Sequence, residues 1–297
     1  MAVLGLGLAA LGRPGYMTLQ HSGDLPSTEP RAMELHAHEV FDAAYAGGVR
    51  HFDAARSYGK SENFLASWLD ARGHRDVFIS SKWGYRYTAG WRTDAEVHEV
   101  KDHSLSHLES QWAESRALLG ERLHVHQVHS ATLESGVLKD RAVLDRLASL
   151  GVPVGLSVTG PRQGDVIDAA METGIFTWVQ ATWNVRETSA GPALARAKAR
   201  GAHTIAKEGM ANGLLSSRGD VVGWKEFAHQ QATTPDALAL GIALQQPFLD
   251  VVLSGAATVA QLESNLRARN VGAVDGWEAF SVPPERYWAE RSKLRWT

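Results

Sequence analysis

Four residues of types that exchange protons fall at or just beyond the ends of short apolar runs. Asp53 and Tyr58 lie five apart in His51-Phe52-Asp53-Ala54-Ala55-Arg56-Ser57-Tyr58-Gly59-Lys60-Ser61-Glu62. Lys82 follows Ile79-Ser80-Ser81, and His129 follows Val125-His126-Gln127-Val128. Brought to one rim, an Asp, a Tyr, a Lys and a His make a general acid–base site. A tyrosine with an ordinary pKa of about 10 is a poor acid at neutral pH unless a nearby cation favours its phenolate. Lys82 can supply that charge, Asp53 can hold Lys82 as its ion-pair partner, and His129 can donate a hydrogen bond to a substrate oxygen. No side chain supplies a hydride, so redox chemistry here requires a bound cofactor. Taken singly, each residue has a plainer role: Asp53 as a helix cap, Tyr58 as a half-buried ring, Lys82 as a surface ammonium. The argument rests on the four together.

An alternation of strand and helix positions them. Met1 to Leu11 is apolar and reads as a first strand, without the positive leader or Ala-x-Ala pattern of a secretory signal. Gly12 to Pro30 is too rich in turn formers to be an element and reads as a long loop. From Met33 to Ala46 the apolar residues Leu35, Val40, Phe41 and Ala44 recur at helical spacing, and Gly47-Gly48 stops the run. Strand-like stretches then begin near residues 49, 77, 123, 152, 177, 202 and 251, each followed by a helical pattern. Counting the first strand, these make eight β/α units with no composition shift or linker between them. The expectation is one (β/α)8 TIM barrel over residues 1–297, with the chemistry at the mouth formed by its βα loops. The longest of those loops follow the first, third (84–100) and seventh strands. A doubly wound sheet is disfavoured: Gly5-Leu6-Gly7 begins a dinucleotide fingerprint, but its third glycine falls at Gly12 and opens a loop.

Composition narrows the partners. Thirty basic residues are scattered among 33 acidic ones, net charge −3, which offers no basic stripe for nucleic acid. The absence of cysteine excludes disulfides, thiolate catalysis and Cys-ligated zinc. Nowhere do about 18 apolar residues run together, as a membrane span requires. The expected address is the cytoplasm, and the expected partner a small molecule. His124 and His126 suggest a metal pair, but on a regular strand they face away from His129 and other strand ends offer no further His, so no metal is expected. His36, His38, His98, His103 and His107 read as solvated. Of the ten tryptophans, Trp68, Trp112 and Trp178 fit packing positions, whereas Trp83, Tyr85, Tyr87 and Trp91 crowd the loop after Lys82 and suggest an aromatic wall.

These motifs resemble, in order, those of the aldo-keto reductase superfamily over nearly the whole chain. Its Phe-Asp-x-Ala-x-x-Tyr-Gly-x-Ser-Glu pattern stands as Phe52 to Glu62, and its strand-three Lys and strand-four His match Lys82 and His129. The resemblance implies hydride transfer between a nicotinamide and a carbonyl or alcohol carbon, possibly of a sugar, with Asp53, Tyr58, Lys82 and His129 as the catalytic tetrad. It also implies that Ser157 and Gln180 hold the nicotinamide carboxamide, and Trp183-Asn184 resembles the family's Tyr-Asn pair. Lys207 stands where many members stack an aromatic ring on the nicotinamide. Ser254 to Leu266 resembles the segment that grips the adenosine and phosphates, which places Gly255, Ala256, Gln261 and Asn265 at the cofactor. The usual Lys and Arg of the 2′-phosphate clamp are replaced here. Gln261 and Asn265 are similar to the branch of potassium-channel β subunits, so NADP is favoured over NAD. That branch supplies the alternative reading, a nucleotide-binding accessory module with little turnover.

Overall fold

The structure, a computed structural model, describes residues 1–297. Its strands are β1 (Val3–Gly7), β2 (His51–Asp53), β3 (Phe78–Trp83), β4 (Tyr85–Tyr87), β5 (Glu99–Lys101), β6 (Val125–Ala131), β7 (Val154–Val158), β8 (Phe176–Thr182), β9 (His203–Lys207) and β10 (Val251–Ser254). All but β4 and β5 close into one parallel barrel in the order β1, β2, β3, β6, β7, β8, β9, β10. The helices are α1 (Pro30–Ala46), α2 (Ser61–Arg72), α3 (Leu105–Leu119), α4 (Arg141–Ala148), α5 (Gln163–Glu172), α6 (Gly191–Ala199), α7 (Trp224–Gln230), α8 (Pro235–Leu244), α9 (Val259–Leu266) and α10 (Pro284–Arg291). This is the (β/α)8 fold that the alternation predicts, and no helix is long and apolar enough to cross a membrane.

Local sequence explains the elements that carry the site. Barrel strands are covered on both faces, so they read as near-continuous apolar runs; every residue of β7 is buried. Helix α1 opens with Pro30 in its first turn and Glu29 accepting the Ala32 N–H at 2.9 Å. Its buried stripe, Met33, Ala37, Val40, Phe41 and Ala44, turns Phe41 against Phe52 of β2 and Trp68 of α2. These three rings lie 5.3–5.9 Å apart and anchor β2, and with it Asp53, beneath the mouth.

Two segments differ from the sequence reading. Residues 84–100 form not a plain loop but the β4–β5 antiparallel hairpin, with Tyr85 opposite Lys101 and Tyr87 opposite Glu99. Alternation there is weak because the hairpin lies outside the barrel and buries little. Beyond β10, α10 and the C-terminal residues return to the mouth: Tyr16 and Thr297 exchange two backbone hydrogen bonds of 3.1 Å. A contact between chain ends leaves no periodic signal.

Gly12 sets how closely the β1 loop approaches the Tyr58 turn. A Cβ at Gly12 would sit 2.2 Å from the Tyr58 carbonyl oxygen and 2.5 Å from Ser61 Cβ, while the Gly12 carbonyl accepts the Lys60 N–H at 2.7 Å. Gly12→Ala is therefore expected to destabilise the fold by about 1–3 kcal/mol, the usual cost of overpacking, and to displace Tyr58. Urea denaturation at neutral pH checks this, and an unchanged midpoint contradicts it.

Candidate active site

The ladder places Asp53 beside Ser80, and Lys82 beside Gln127. Both side chains of the Asp53–Lys82 pair are buried, and the ammonium donates directly to Asp53 Oδ2 and to the Ala54 carbonyl at 3.0 Å. Asp53 Oδ1 accepts from Ser80 at 2.7 Å and from the amides of Gln127 and Gln180 at 3.2 Å each. Burial pulls the Lys82 pKa down, and Asp53 offsets part of that pull.

Tyr58 lies on the turn after β2, with Lys82 Nζ 4.9 Å from its ring centroid and its hydroxyl 3.5 Å from His129 Nε2. Contrary to the lowering expected from Lys82, burial, reinforced by Asp53, pushes the phenol pKa well above 10, and Arg13 is the cation that pulls against it. In His129 burial acts with the neighbouring cations, Lys82 first among them, to hold the imidazole neutral. The aim of His129 comes from a register break in the β6–β7 ladder between Val128 and Ala131. There Ser130 takes φ 53° and its N–H donates to Ser157 Oγ at 2.8 Å. Ser157 thus holds the bulge.

Asp53, Tyr58, His129, Gln180 and Lys207 line one cleft of about 1000 Å³. Ala10, Thr18, Met210, Gly213 and Gly255 also line a second cleft of about 860 Å³, which reaches Gln261 and Asn265. The two form one elongated groove running from the tetrad to the start of α9. Gly255 has open space where a Cβ would stand. Gln261 Oε1 accepts the Ala257 N–H at 2.8 Å, and the Asn265 amide lies 2.8 Å from Ser254 Oγ.

Three residues assigned by resemblance are not on the groove wall. Ser157 is fully buried behind the bulge it supports. The Ala256 methyl packs into the apolar cluster of Leu6 and Leu262. Trp183 is buried edge-on to Phe248 and Trp277, so its ring cannot lie over a ligand in the groove. The aromatic wall after Lys82 is also displaced. Trp83 is core and Trp91 donates to the Thr28 carbonyl, leaving Tyr85 alone beside His129 at 5.0 Å. Tyr16, Tyr58 and Trp296 supply the cleft's rings instead. Nor is His98 solvated: it is buried and stacked on Trp296 at 4.2 Å, and half-buried His103 bonds the His129 carbonyl.

Several residues at the cleft escape the sequence patterns. Arg13 and Tyr16 come from the long β1 loop, Glu99 from the hairpin, and Arg291 and Trp296 from the C-terminus. Glu208 follows β9 with φ 57°, and Ala211 and Asn212 share its left-handed backbone, a strained turn of a kind that gathers at functional sites. Burial works to raise the Glu208 carboxyl, but Arg291 and Lys207 overrule it and hold it down to about 2. Lys207 donates to Thr182 Oγ1 at 3.0 Å, and burial lowers it to about 8. The one legible clue is Arg13 itself, the single Lys or Arg between Gly12 and Pro30.

His126 lies on the outer side of β6 against the Trp112 ring at 5.1 Å, and His124 stacks on Phe78, so neither faces the cleft. No group of three or more His, Asp or Glu is arranged to hold a metal ion.

Parallel strands carrying a buried Lys–Asp pair, with a Tyr and a neutral His at the C-terminal mouth, define an acid–base barrel. A family model describing the aldo/keto reductase family matches residues 4–276, and the chain belongs to that family. It is 32% identical over 105 residues to an aldo-keto reductase of Strobilurus tenacellus; that match covers 35% of this chain and only 27% of that protein. Among solved structures it resembles an aldo-keto reductase from Bacillus halodurans in its holo form, at 18% identity and TM-score 0.71, covering 98% of this chain and 92% of that one. It also resembles the glycerol dehydrogenase of Gluconobacter oxydans, at 16% identity and TM-score 0.71, covering 97% and 91%. Likeness at such identities concerns the fold.

Buried histidines make stability depend on pH. Burial lowers His21, His51 and His103 from 6.5 to about 4, and His126 to about 3. The unfolded chain therefore takes up protons first, so this stability is whole above pH about 6.5 and drains as pH falls toward 4. The urea midpoint should drop steadily across that window, and His126→Phe, which cannot be protonated, should flatten the slope. An identical slope in that variant would contradict the assignment.

Proposed function

We propose that this chain is an NAD(P)(H)-dependent oxidoreductase acting between a small aldehyde or ketone and the corresponding alcohol. The observation that carries the reading is the placement of Tyr58 between Lys82 and His129 at the head of the groove. In carbonyl reduction the Tyr58 hydroxyl gives its proton to the substrate oxygen, and in alcohol oxidation its phenolate takes one back. Lys82 stabilises that phenolate, Asp53 keeps the ammonium in place, and neutral His129 orients the substrate oxygen through a ring N–H.

The groove's length, its opening at Gly255 and the N-terminus of α9 at its far end fit an extended dinucleotide. The nicotinamide, when bound, would supply the hydride. Gln180 and Lys207 would lie near it, and Gly255, Gln261 and Asn265 near the adenosine. With Trp183 packed away, Lys207 would face the bound nicotinamide as a hydrogen-bonding cation.

Two measurements test this. NADPH and NADH are titrated separately against tryptophan fluorescence, and reduction of 4-nitrobenzaldehyde is followed with the tighter nucleotide. Tyr58→Phe should leave nucleotide binding unchanged and lower turnover by about 10²-fold or more, the usual weight of a positioned acid. Full turnover in that variant sinks the assignment, and binding without turnover in the unaltered protein points to the accessory-module reading.

Beside the resemblance at Gln261 and Asn265, Arg218 supports NADP: it is the one Lys or Arg lining the second cleft, partly exposed, and would exchange its Asp24 partner at 2.7 Å for a 2′-phosphate. Arg218→Met should weaken NADPH binding about tenfold or more, the weight of a charged hydrogen bond, and leave NADH unaffected. Equal loss for both would assign Arg218 to the shared part of the dinucleotide.

A further inference from the structure

Arg13 is charged, almost wholly buried, and touches the ring that the proposed chemistry depends on. Its guanidinium carbon lies 5.2 Å from the Tyr58 ring centroid and 4.5 Å from that of Trp296. Nη1 donates to the Ser57 carbonyl at 2.9 Å and to Glu99 Oε2 at 2.8 Å, while Nε is buried without a partner. The side chain therefore ties together the β1 loop, the turn carrying Tyr58, the β4–β5 hairpin and the C-terminus. Nη1 is committed to Glu99 and the side chain is only 3% exposed, so the guanidinium is a poor receptor for an incoming anion. A buried ion pair is weak evidence for stability, because apolar side chains of similar volume usually join segments as well. Charge here has another use.

We propose that Arg13, with Glu99 as its counter-ion, is a second positioning cation for Tyr58, acting beside Lys82 to orient the phenol and stabilise its phenolate. The inference rests on Tyr58 being the proton donor. Arg13 reaches the ring from the β1 loop, Lys82 from β3, and neutral His129 faces the hydroxyl from β6. Asp53 from β2, Glu99 from β5 and Glu208 after β9 oppose the phenolate, and Tyr16 lies within the same field. Arg13 and Glu99 thus act on Tyr58 with opposite sign. A merely structural clamp gives no such opposition, since breaking it from either side has the same effect.

The test is the alkaline limb of kcat/KM for 4-nitrobenzaldehyde reduction by NADPH, where activity falls as Tyr58 loses its proton. Arg13→Met should move the limb up by about one pH unit, tenfold in the ionised fraction. Glu99→Gln should move it down by a similar amount, and Arg13→Lys should stay near the unaltered protein. Shifts of the same sign, or none, overturn the proposal. A second readout needs no turnover: in protein labelled with 13Cζ-tyrosine, the Tyr58 signal is assigned by its loss in Tyr58→Phe. Its ionisation should begin at lower pH in Glu99→Gln and at higher pH in Arg13→Met. If the unaltered protein reduces nothing, the oxidoreductase reading fails on its own, and the order of these onsets still decides whether Arg13 acts on Tyr58. Glu99 is the more exposed partner, so Glu99→Gln keeps the comparison usable if Arg13→Met does not fold.

Discussion

The structure turns on one buried ion pair, Lys82 with Asp53, inside the upper barrel. An ammonium and a carboxylate taken out of water cost several kcal/mol each unless geometry and extra hydrogen bonds offset the loss. Here Ser80, Gln127 and Gln180 satisfy the carboxylate, and the Ala54 carbonyl takes a second proton of the ammonium. Four strands, β2, β3, β6 and β8, are thereby held in one register, because slipping any of them by a residue would turn its polar group to the other face and leave a buried charge unpaired. Phe41, Phe52 and Trp68 hold β2 from outside while the pair holds it from within.

Around this centre the mouth is built from charges neutralised in place. Arg13 pairs with Glu99, and Arg291 with Glu208, which Lys207 approaches to 4.0 Å. Counting Lys82 and Asp53, four cations face three carboxylates around the tetrad, while Arg218 faces Asp24 and Asp236 in the second cleft, so the charges of the groove balance as a whole and only its tetrad end is cationic. Low-dielectric walls concentrate that local field at the tetrad end. The same burial keeps His129 neutral, so it can both donate and accept a hydrogen bond beside Tyr58.

These pairings also bind the ends of the chain to its middle. Residues 16–24 lie along the loop after β9 through Thr18 with the Asn212 carbonyl, Asn212 with the Met17 carbonyl, and Asp24 with Arg218. The C-terminal Thr297 closes onto Tyr16. The groove is therefore roofed by segments that carry almost no regular structure. Their order comes from side-chain pairing and from a left-handed turn at Glu208, Ala211 and Asn212.

By itself the sequence determined the barrel and its four central residues. Strands buried on both faces leave short apolar runs and one-sided helices a period of 3.6, and Asp53, Lys82 and His129 stand on such strands with Tyr58 five residues beyond β2. What it could not show was which side chains turn toward the groove. Ser157, Ala256 and Trp183 sit at matching positions in the chain, yet a bulge, an apolar cluster and two neighbouring rings take them elsewhere. Arg13, Glu99, Glu208, Arg291 and Trp296 meet across separations of up to 283 residues, on loops and a chain end without periodicity. Only tertiary structure decides such meetings, because long-range ion pairs and ring contacts depend on closure of the barrel and impose no local pattern on the residues that make them.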